Sequence, residues 1–274
     1  SSLALSPDGA SLYVGQYDPA LVRRGDPSRG WLARLDTRAL EIVRNFEIPT
    51  EPLDMEATDR RQVVITPRRS RQIPRAVALV DADAELVSWA HYSTSRARTV
   101  ALPPDQHLAY VTDRGNQNDP TRLGITSDGT LESRGNSERA YPQTPTRVWI
   151  HPNGNQVLAD SGVVFDATVD TVFERLPIAR TLWSRYDPDA IDMAFDAVRD
   201  LWVIANDGGL EYRNLVSLEA FQEVPLEGSV RHVCIGAGDV YAVVERELDD
   251  GEPGVVEILR FPHPAPNGLG GGPP

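Results

Sequence analysis

The sequence predicts an all-β fold, a β-propeller of about six blades, with seven blades as the alternative. Its 22 Pro and 21 Gly residues are spread along the 274-residue chain, as expected for many short strands joined by turns. A strand–turn–strand segment recurs at intervals of 39 to 51 residues, which is the length of a propeller blade. Each four-stranded antiparallel blade has two apolar faces, so neighbouring blades must stack to bury them.

The first two strands of the repeat are clearest at residues 3–14, where a Ser-Pro-Asp-Gly turn separates two apolar segments. Residues 100–111 and 148–159 match this segment without a gap. Residues 193–203 and 233–242 match with a shorter turn, and residues 55–65 match most loosely. The landmark residues of the second strands are Tyr13, Val64, Tyr110, Leu158, Trp202 and Tyr241.

The remaining strands follow in the same order within each copy. Third strands are predicted at residues 31–36, 76–81, 122–126, 162–166, 210–212 and 255–259, and fourth strands at 42–48, 86–92, 131–133, 172–176 and 221–224. The sixth copy lacks a fourth strand because Pro- and Gly-rich residues 263–274 follow. We therefore assign residues 1–262 to the propeller and 263–274 to a tail or linker. The last blade is expected to be incomplete or to be completed by a neighbouring segment.

The composition narrows the classes of partner. The net charge is −13, which should repel nucleic acid and anionic membrane surfaces. No apolar run approaches the roughly 20 residues of a transmembrane helix. The single cysteine, Cys234, lies between Val233 and Ile235 and is predicted to be a small core residue. From the charge and the short apolar runs we expect no nucleic acid partner and no transmembrane segment. The partner is expected to be a protein, peptide or glycan.

The turn and its flanking strands resemble a known repeat. Ser6-Pro7-Asp8-Gly9 followed by Leu12-Tyr13-Val14, with Leu79-Val80-Asp81 and Phe165-Asp166-Ala167 further on, is similar to the YVTN-type repeat of bacterial surface and periplasmic propellers. Lactonase-like and quinoprotein-like propellers share this style of repeat. The resemblance covers nearly the whole chain and implies the fold, and it also implies export to the periplasm or the cell exterior of a bacterium. It does not specify a reaction, since these families host unrelated chemistries.

One face of the predicted propeller carries the candidate binding residues. The loops from second to third strands, and from fourth strands to the next blade, are expected to emerge on the same face and to be rich in Arg and aromatic residues, as interface hot spots are. Alternatively, these arginines pair with nearby loop carboxylates. His232, at the start of an innermost strand, is predicted at the channel mouth or as a hydrogen-bonded structural residue. The loop-face candidates are Arg23, Arg24, Arg68, Arg69, Arg114, Trp183, Arg185, Tyr186 and Asp187.

Metal and catalytic motifs are weak in this sequence. The oxygen-rich segment that contains Asp113, Asn116, Asn118 and Asp119 is a weak calcium candidate, but it lacks a closing bidentate Glu. An ordinary Asx-rich turn is the favoured interpretation, and no cofactor is expected. The five histidines lack zinc-motif spacing, and there is no Gly-x-Ser-x-Gly elbow, P-loop or Cys-x-x-Cys-His sequence.

These features favour a non-catalytic binding or scaffold propeller that presents its Arg- and aromatic-rich loop face to a partner. The alternative is a metal-assisted, lactonase-like hydrolase that uses the central channel. A third hypothesis is that the chain is one domain of a larger redox or adhesive surface protein.

Overall fold

The computed structural model describes residues 2–17, 29–67, 76–91, 97–113, 120–136, 146–168, 178–182, 190–236, 238–246 and 255–264. These residues contain 23 β-strands. The strands form six antiparallel sheets, which are numbered here as blades 1 to 6 in chain order. In each blade the strands lie side by side in the order in which they follow along the chain.

Blades 1 to 3 have four strands each. Blade 1 contains β1 (Ser2–Leu5), β2 (Ser11–Tyr17), β3 (Gly30–Asp36) and β4 (Glu41–Ile48). Blade 2 contains β5 (Pro52–Ala57), β6 (Gln62–Pro67), β7 (Ala76–Asp81) and β8 (Leu86–His91). Blade 3 contains β9 (Ala97–Ala101), β10 (Leu108–Asp113), β11 (Thr121–Ile125) and β12 (Leu131–Asn136).

Blades 4 and 5 also have four strands, and blade 6 has three. Blade 4 contains β13 (Val148–Ile150), β14 (Gln156–Ala159), β15 (Val163–Asp166) and β16 (Ile178–Thr181). Blade 5 contains β17 (Asp192–Asp196), β18 (Leu201–Asn206), β19 (Gly209–Asn214) and β20 (Ala220–Pro225). Blade 6 contains β21 (Ser229–Ile235), β22 (Asp239–Arg246) and β23 (Val255–Pro262).

The predicted six-bladed propeller is confirmed, and the seven-blade alternative is not supported. The sixth sheet has three strands within the described residues, as the repeat pattern predicted. The fourth strand of blade 4 differs from its prediction: β16 lies at Ile178–Thr181, and the predicted segment 172–176 lies outside the described residues.

The chain divides into two compact units. Residues 1–159 and 163–180 form the first, and residues 160–162 and 181–274 form the second. In the first unit, one apolar cluster lies between blades 1 and 2, another between blades 2 and 3, and a third between blades 3 and 4. In the second unit, a single cluster joins blades 5 and 6. Strand β6 shows why this packing works: Val63 and Ile65 pack toward blade 1, whereas Val64 packs toward blade 3.

Side-chain hydrogen bonds tie innermost strands of successive blades together. Oδ2 of Asp54, on β5, accepts a hydrogen bond from the backbone N–H of Val100 on β9 at 2.9 Å. Oδ2 of Asp192, on β17, accepts one from the backbone N–H of Val233 on β21 at 3.0 Å. An ionised acceptor makes such a bond stronger than a neutral one, so these two contacts fix neighbouring blades against each other.

The turns between third and fourth strands repeat one local structure. Asp36 and Asp81 each accept hydrogen bonds from the backbone N–H groups two and three residues later, and Asn214 does the same. A non-glycine residue with positive φ ends each of these turns, as at Leu40 (φ 57°). The Asx side chain supplies the acceptor that the tight turn needs, which is why Asp or Asn closes the third strand.

One detail of the sequence interpretation is wrong. Cys234 is exposed rather than in the core, because its neighbour Val233 faces blade 5 and strand alternation turns Cys234 to the opposite face. Trp202, the landmark of the fifth repeat, lies on second strand β18 as predicted, and its neighbour Val203 packs toward blade 6.

Candidate binding cleft on blade 5

All nine predicted loop-face residues lie outside the described part of the chain, and so do three of the four calcium candidates. Among those candidates, Asp113 ends β10. Within the described ranges, no group of three or more His, Cys, Asp or Glu side chains could hold a metal ion. The residues outside the described part are Arg23, Arg24, Arg68, Arg69, Arg114, Trp183, Arg185, Tyr186 and Asp187, with Asn116, Asn118 and Asp119.

His232 lies on β21 with 71% of its side chain exposed. Its Nδ1 is 3.4 Å from Oδ2 of Asp192, the same oxygen that accepts the backbone hydrogen bond from Val233. The carboxylate therefore sits beside both the imidazole and the backbone of the neighbouring innermost strand.

A cleft of about 680 Å³ lies on one face of blade 5, opposite to the face that packs on blade 6. All the described residues that line it belong to the second unit. Ile204 and Leu182 supply apolar surface, and three charged side chains, Glu211, Arg213 and Glu223, face the same space. A volume of this size is typical of sites that bind a small molecule or a few residues of a peptide.

A buried aromatic residue supports the charged part of the cleft. Trp202 is fully buried on β18, directly opposite Arg213 in the antiparallel register. The guanidinium carbon of Arg213 lies 5.9 Å from the centre of the indole ring, within the range of a cation–π contact. Phe195 stacks on the same indole at 6.0 Å between ring centres. The Arg213 side chain is therefore held in one position above a rigid aromatic base.

Of the three charged side chains described in the cleft, two form an ion pair with each other. Nη2 of Arg213 lies 2.5 Å from Oε1 of Glu211, and both side chains are largely buried. Nη1 of Arg213 also donates to the backbone oxygen of Leu218 at 2.8 Å. Glu223 stands directly opposite Glu211 on the adjacent strand. Among the described residues, neither an ion pair nor a hydrogen bond is found for the exposed Glu223 side chain, and the described lining of the cleft carries two negative charges and one positive charge.

A second notable group lies on blade 2. Burial raises the pKa of Glu56 to about 8, and the nearby charge of Asp54 adds to this shift. Both residues project from the same side of innermost strand β5. A carboxyl group with this pKa is largely protonated at neutral pH and can donate a proton.

The sequence contained a signal for the cleft that the strand prediction missed. Glu211 and Arg213 flank Tyr212 in period-two alternation, which places both charges on one face of a strand and Tyr212 on the other. The predicted strand ended at residue 212, whereas β19 continues to Asn214. The register between β19 and β20, which brings Glu223 opposite Glu211, depends on a bulge that the sequence does not reveal.

The fold places the chain in the class of β-propellers, and the solved structures that resemble it support this assignment. No family model matches the sequence, and no curated protein matches it. The Cps50 (Swd1) β-propeller domain of Myceliophteria thermophila is similar at a TM-score of 0.64 and 10% identity, over 89% of this chain and 78% of that one.

A chain of the mitotic checkpoint complex has a TM-score of 0.65 at 9% identity, over 97% of this chain and 78% of that chain. Hydrazine synthase of Kuenenia stuttgartiensis has a TM-score of 0.64 at 14% identity, over 97% of this chain and 84% of that chain. At these identities the similarity shows the fold alone.

Proposed function

We propose that the protein is a non-catalytic binding propeller that recognises a protein, peptide or glycan through the long connections between the second and third strands of its blades. The observation that carries this proposal is an asymmetry in blades 1 to 3. Their second-to-third connections have twelve, eight and seven residues, whereas their other hairpin turns have four to six. Long connections on a rigid sheet scaffold are where binding residues concentrate.

The long connections of blades 1 to 3 are also richer in arginine than the tight turns of the same blades. The three long connections contain eight arginines in 27 residues, whereas the six tight turns contain three arginines in 28 residues. Arginine forms ion pairs, bidentate hydrogen bonds and stacking contacts, and it is enriched at interface hot spots. The long connections, which include Arg23, Arg24, Arg68, Arg69 and Arg114, therefore have both the length and the chemistry of a recognition surface.

The similar structures are compatible with a binding role, but they do not distinguish it from an enzymatic role. One of them is a chain of the mitotic checkpoint complex, which by its name is an assembly of proteins. Another is hydrazine synthase, which by its name is an enzyme. The fold therefore serves both kinds of role, and the choice here rests on the connections.

The test compares variants that remove equal charge from the two ends of the blades. R23A/R24A and R68A/R69A alter long connections, and R38A/R60A alters tight turns. Immobilised full-length chains are exposed to extract of the source organism, and the retained molecules are quantified by mass spectrometry. For at least one molecule that the wild type and R38A/R60A retain, the retained amount should decrease about tenfold with a long-connection variant. A decrease of this size is expected for loss of a hot spot. Identical retained sets for all variants would contradict the proposal.

The resemblance to YVTN-type repeats supports a proposed location in the bacterial periplasm or outside the cell. Fractionation of the source cells, with immunodetection of the chain in each fraction, tests this location. Recovery of the native protein only with the cytoplasmic fraction would exclude it.

A metal-assisted hydrolase is the second candidate function, and the carboxyl pair on β5 favours it. Glu56 is protonated near neutral pH and could act as a general acid beside the ionised Asp54. Hydrolysis of lactones and simple esters, assayed with and without added Ca²⁺, tests this function. An activity that E56Q reduces at least about a hundredfold would support a general-acid role. An activity that E56Q leaves unchanged would exclude that role.

A further inference from the structure

We propose that the cleft on blade 5 is a docking site for an extended basic segment of a partner protein, whose Arg or Lys side chain lies between Glu211 and Glu223. This site goes beyond the proposed function, because the described residues that line it lie between Leu182 and Pro225, whereas the proposed function rests on the long connections of blades 1 to 3. Binding at the cleft can therefore be measured while those connections are unchanged.

The first argument is the arrangement of the charges. Glu211 and Glu223 are directly opposite each other on antiparallel strands, where like charges oppose folding. Arg213 is already engaged by Glu211, by the Leu218 carbonyl and by the Trp202 ring. A cation brought by a partner would neutralise the remaining negative charge beside Glu223, so the cleft complements a basic side chain.

The second argument is the apolar surface beside those charges. Ile204 is 2% exposed at the base of the cleft, and Leu182 lines another part of it. Arg and Lys side chains combine an aliphatic stem with a charged head, and they bury the stem along apolar surface while the head reaches a carboxylate. The combination of Ile204, Leu182 and Glu223 fits such a side chain better than it fits an anion or a wholly apolar group.

The third argument concerns the shape of the ligand. Strand β20 (Ala220–Pro225) is the outer strand of its sheet, and three of its residues, Glu223, Val224 and Pro225, line the cleft together with Ala220. An edge strand offers backbone hydrogen-bonding groups to an added strand. An extended segment that runs along β20 can therefore place a basic side chain in the cleft while its backbone pairs with the sheet.

The overall charge decides between a basic partner and a second copy of this chain. The protein has a net charge of −13, so a second copy would bring further negative charge toward Glu211 and Glu223. A basic segment of another protein is attracted by both the local and the overall charge.

The test uses a labelled pentapeptide, acetyl-Thr-Val-Arg-Val-Thr-amide, and its counterpart with Gln in place of Arg. Binding to the full chain is followed by fluorescence anisotropy at low salt. E223Q is the test variant, and E219Q is the matched control because Glu219 is exposed in the same hairpin but does not line the cleft. Thermal melting confirms that both variants are folded.

We expect saturable binding of the Arg peptide that weakens about fivefold or more with E223Q and less than about twofold with E219Q. The Gln peptide should bind at least about tenfold more weakly than the Arg peptide. Equal losses of affinity in E223Q and E219Q would show that the acidic protein attracts the peptide without a specific site. That result would overturn the docking site. Absence of saturable binding, or equally tight binding of arginine amide alone, would also overturn the extended segment as the ligand.

Discussion

Blades 2 and 5 have the same four-stranded topology, but their faces are covered differently. Every residue of β6 in blade 2 is buried, and the two faces of that blade contribute to two separate apolar clusters. In blade 5, Val203, Leu210 and Tyr212 pack against blade 6, whereas Glu211 and Arg213 on the other face line a cleft. The comparison shows that the same strand topology can have apolar clusters on both faces in one blade and charged side chains on one face in another.

The ionisable groups of the two blades differ in the same way. Glu56 of blade 2 is partly buried beside another carboxyl group, and among the described residues no cation offsets its loss of solvent, so its pKa rises to about 8. Glu211 of blade 5 is also largely buried, but Arg213 lies 2.5 Å from it. A buried carboxyl in blade 2 therefore opposes folding when ionised, whereas the charged pair in blade 5 is locally balanced.

The largest expected difference comes from removing one leucine side chain from the core of blade 2 and one from the cleft beside blade 5. Leu79 of blade 2 is 1% exposed between β6 and β8, so L79A should lower the free energy of unfolding by about 3 kcal/mol through lost burial and a cavity. Leu182 at the cleft is partly exposed, and L182A should cost less than about 1 kcal/mol. Urea unfolding of both variants measures this contrast, and equal losses would show that the cleft side is as tightly packed as blade 2.

The next largest effect is a pH dependence from Glu56. Because its folded-state pKa of about 8 exceeds the ordinary value of 4.5, the folded state binds more protons between these values. Stability therefore falls as pH rises from about 4.5 to 8. Since the side chain is not completely buried, E56Q should stabilise the protein by about 2–3 kcal/mol at pH 9 and give no such gain at pH 4.5.

Urea unfolding at both pH values checks this prediction. E219Q provides the control, because Glu219 is exposed and its replacement should change stability little at either pH. A stability difference between E56Q and wild type that is the same at pH 4.5 and pH 9 would show that the folded state does not raise the pKa of Glu56.

The contrast between these blades also shows what the sequence could predict. The strand–turn–strand segment and the alternating apolar residues recur along the chain, so the number of blades and most strands followed from the repeat. The prediction of Cys234 as a core residue is wrong because a run of apolar residues does not specify which face of a strand is covered. The cleft was missed for the same reason: Glu211 and Arg213 alternate with Tyr212, but only the packing of Tyr212 against blade 6 shows which face carries the charges.

A smaller effect on stability is expected from replacing Arg213, which tests how much its contacts in the cleft contribute to the free energy of unfolding. R213Q leaves the largely buried Glu211 without its cation and removes the contact with Trp202, so it should cost about 1–2 kcal/mol. R44Q is the matched control, because Arg44 and Glu85 are about half exposed and 3.8 Å apart. An exposed pair of this kind is expected to contribute less than about 0.5 kcal/mol. Similar losses for both variants in urea unfolding would show that Glu211 is solvated without Arg213.

The smallest expected effect has the opposite sign. E223Q removes one of two carboxylates that face each other across β19 and β20, so it should stabilise the protein by about 0.3 kcal/mol at low salt. The gain should shrink in 0.5 M NaCl because salt screens the repulsion between exposed charges. E219Q, which changes the same charge in the same hairpin, should show no such gain. Thermal melting at the two salt concentrations distinguishes these outcomes, and a destabilised E223Q at low salt would mean that Glu223 has a favourable partner in the folded protein. In that case the partner would already neutralise the charge of Glu223, and the cleft would not attract a basic side chain.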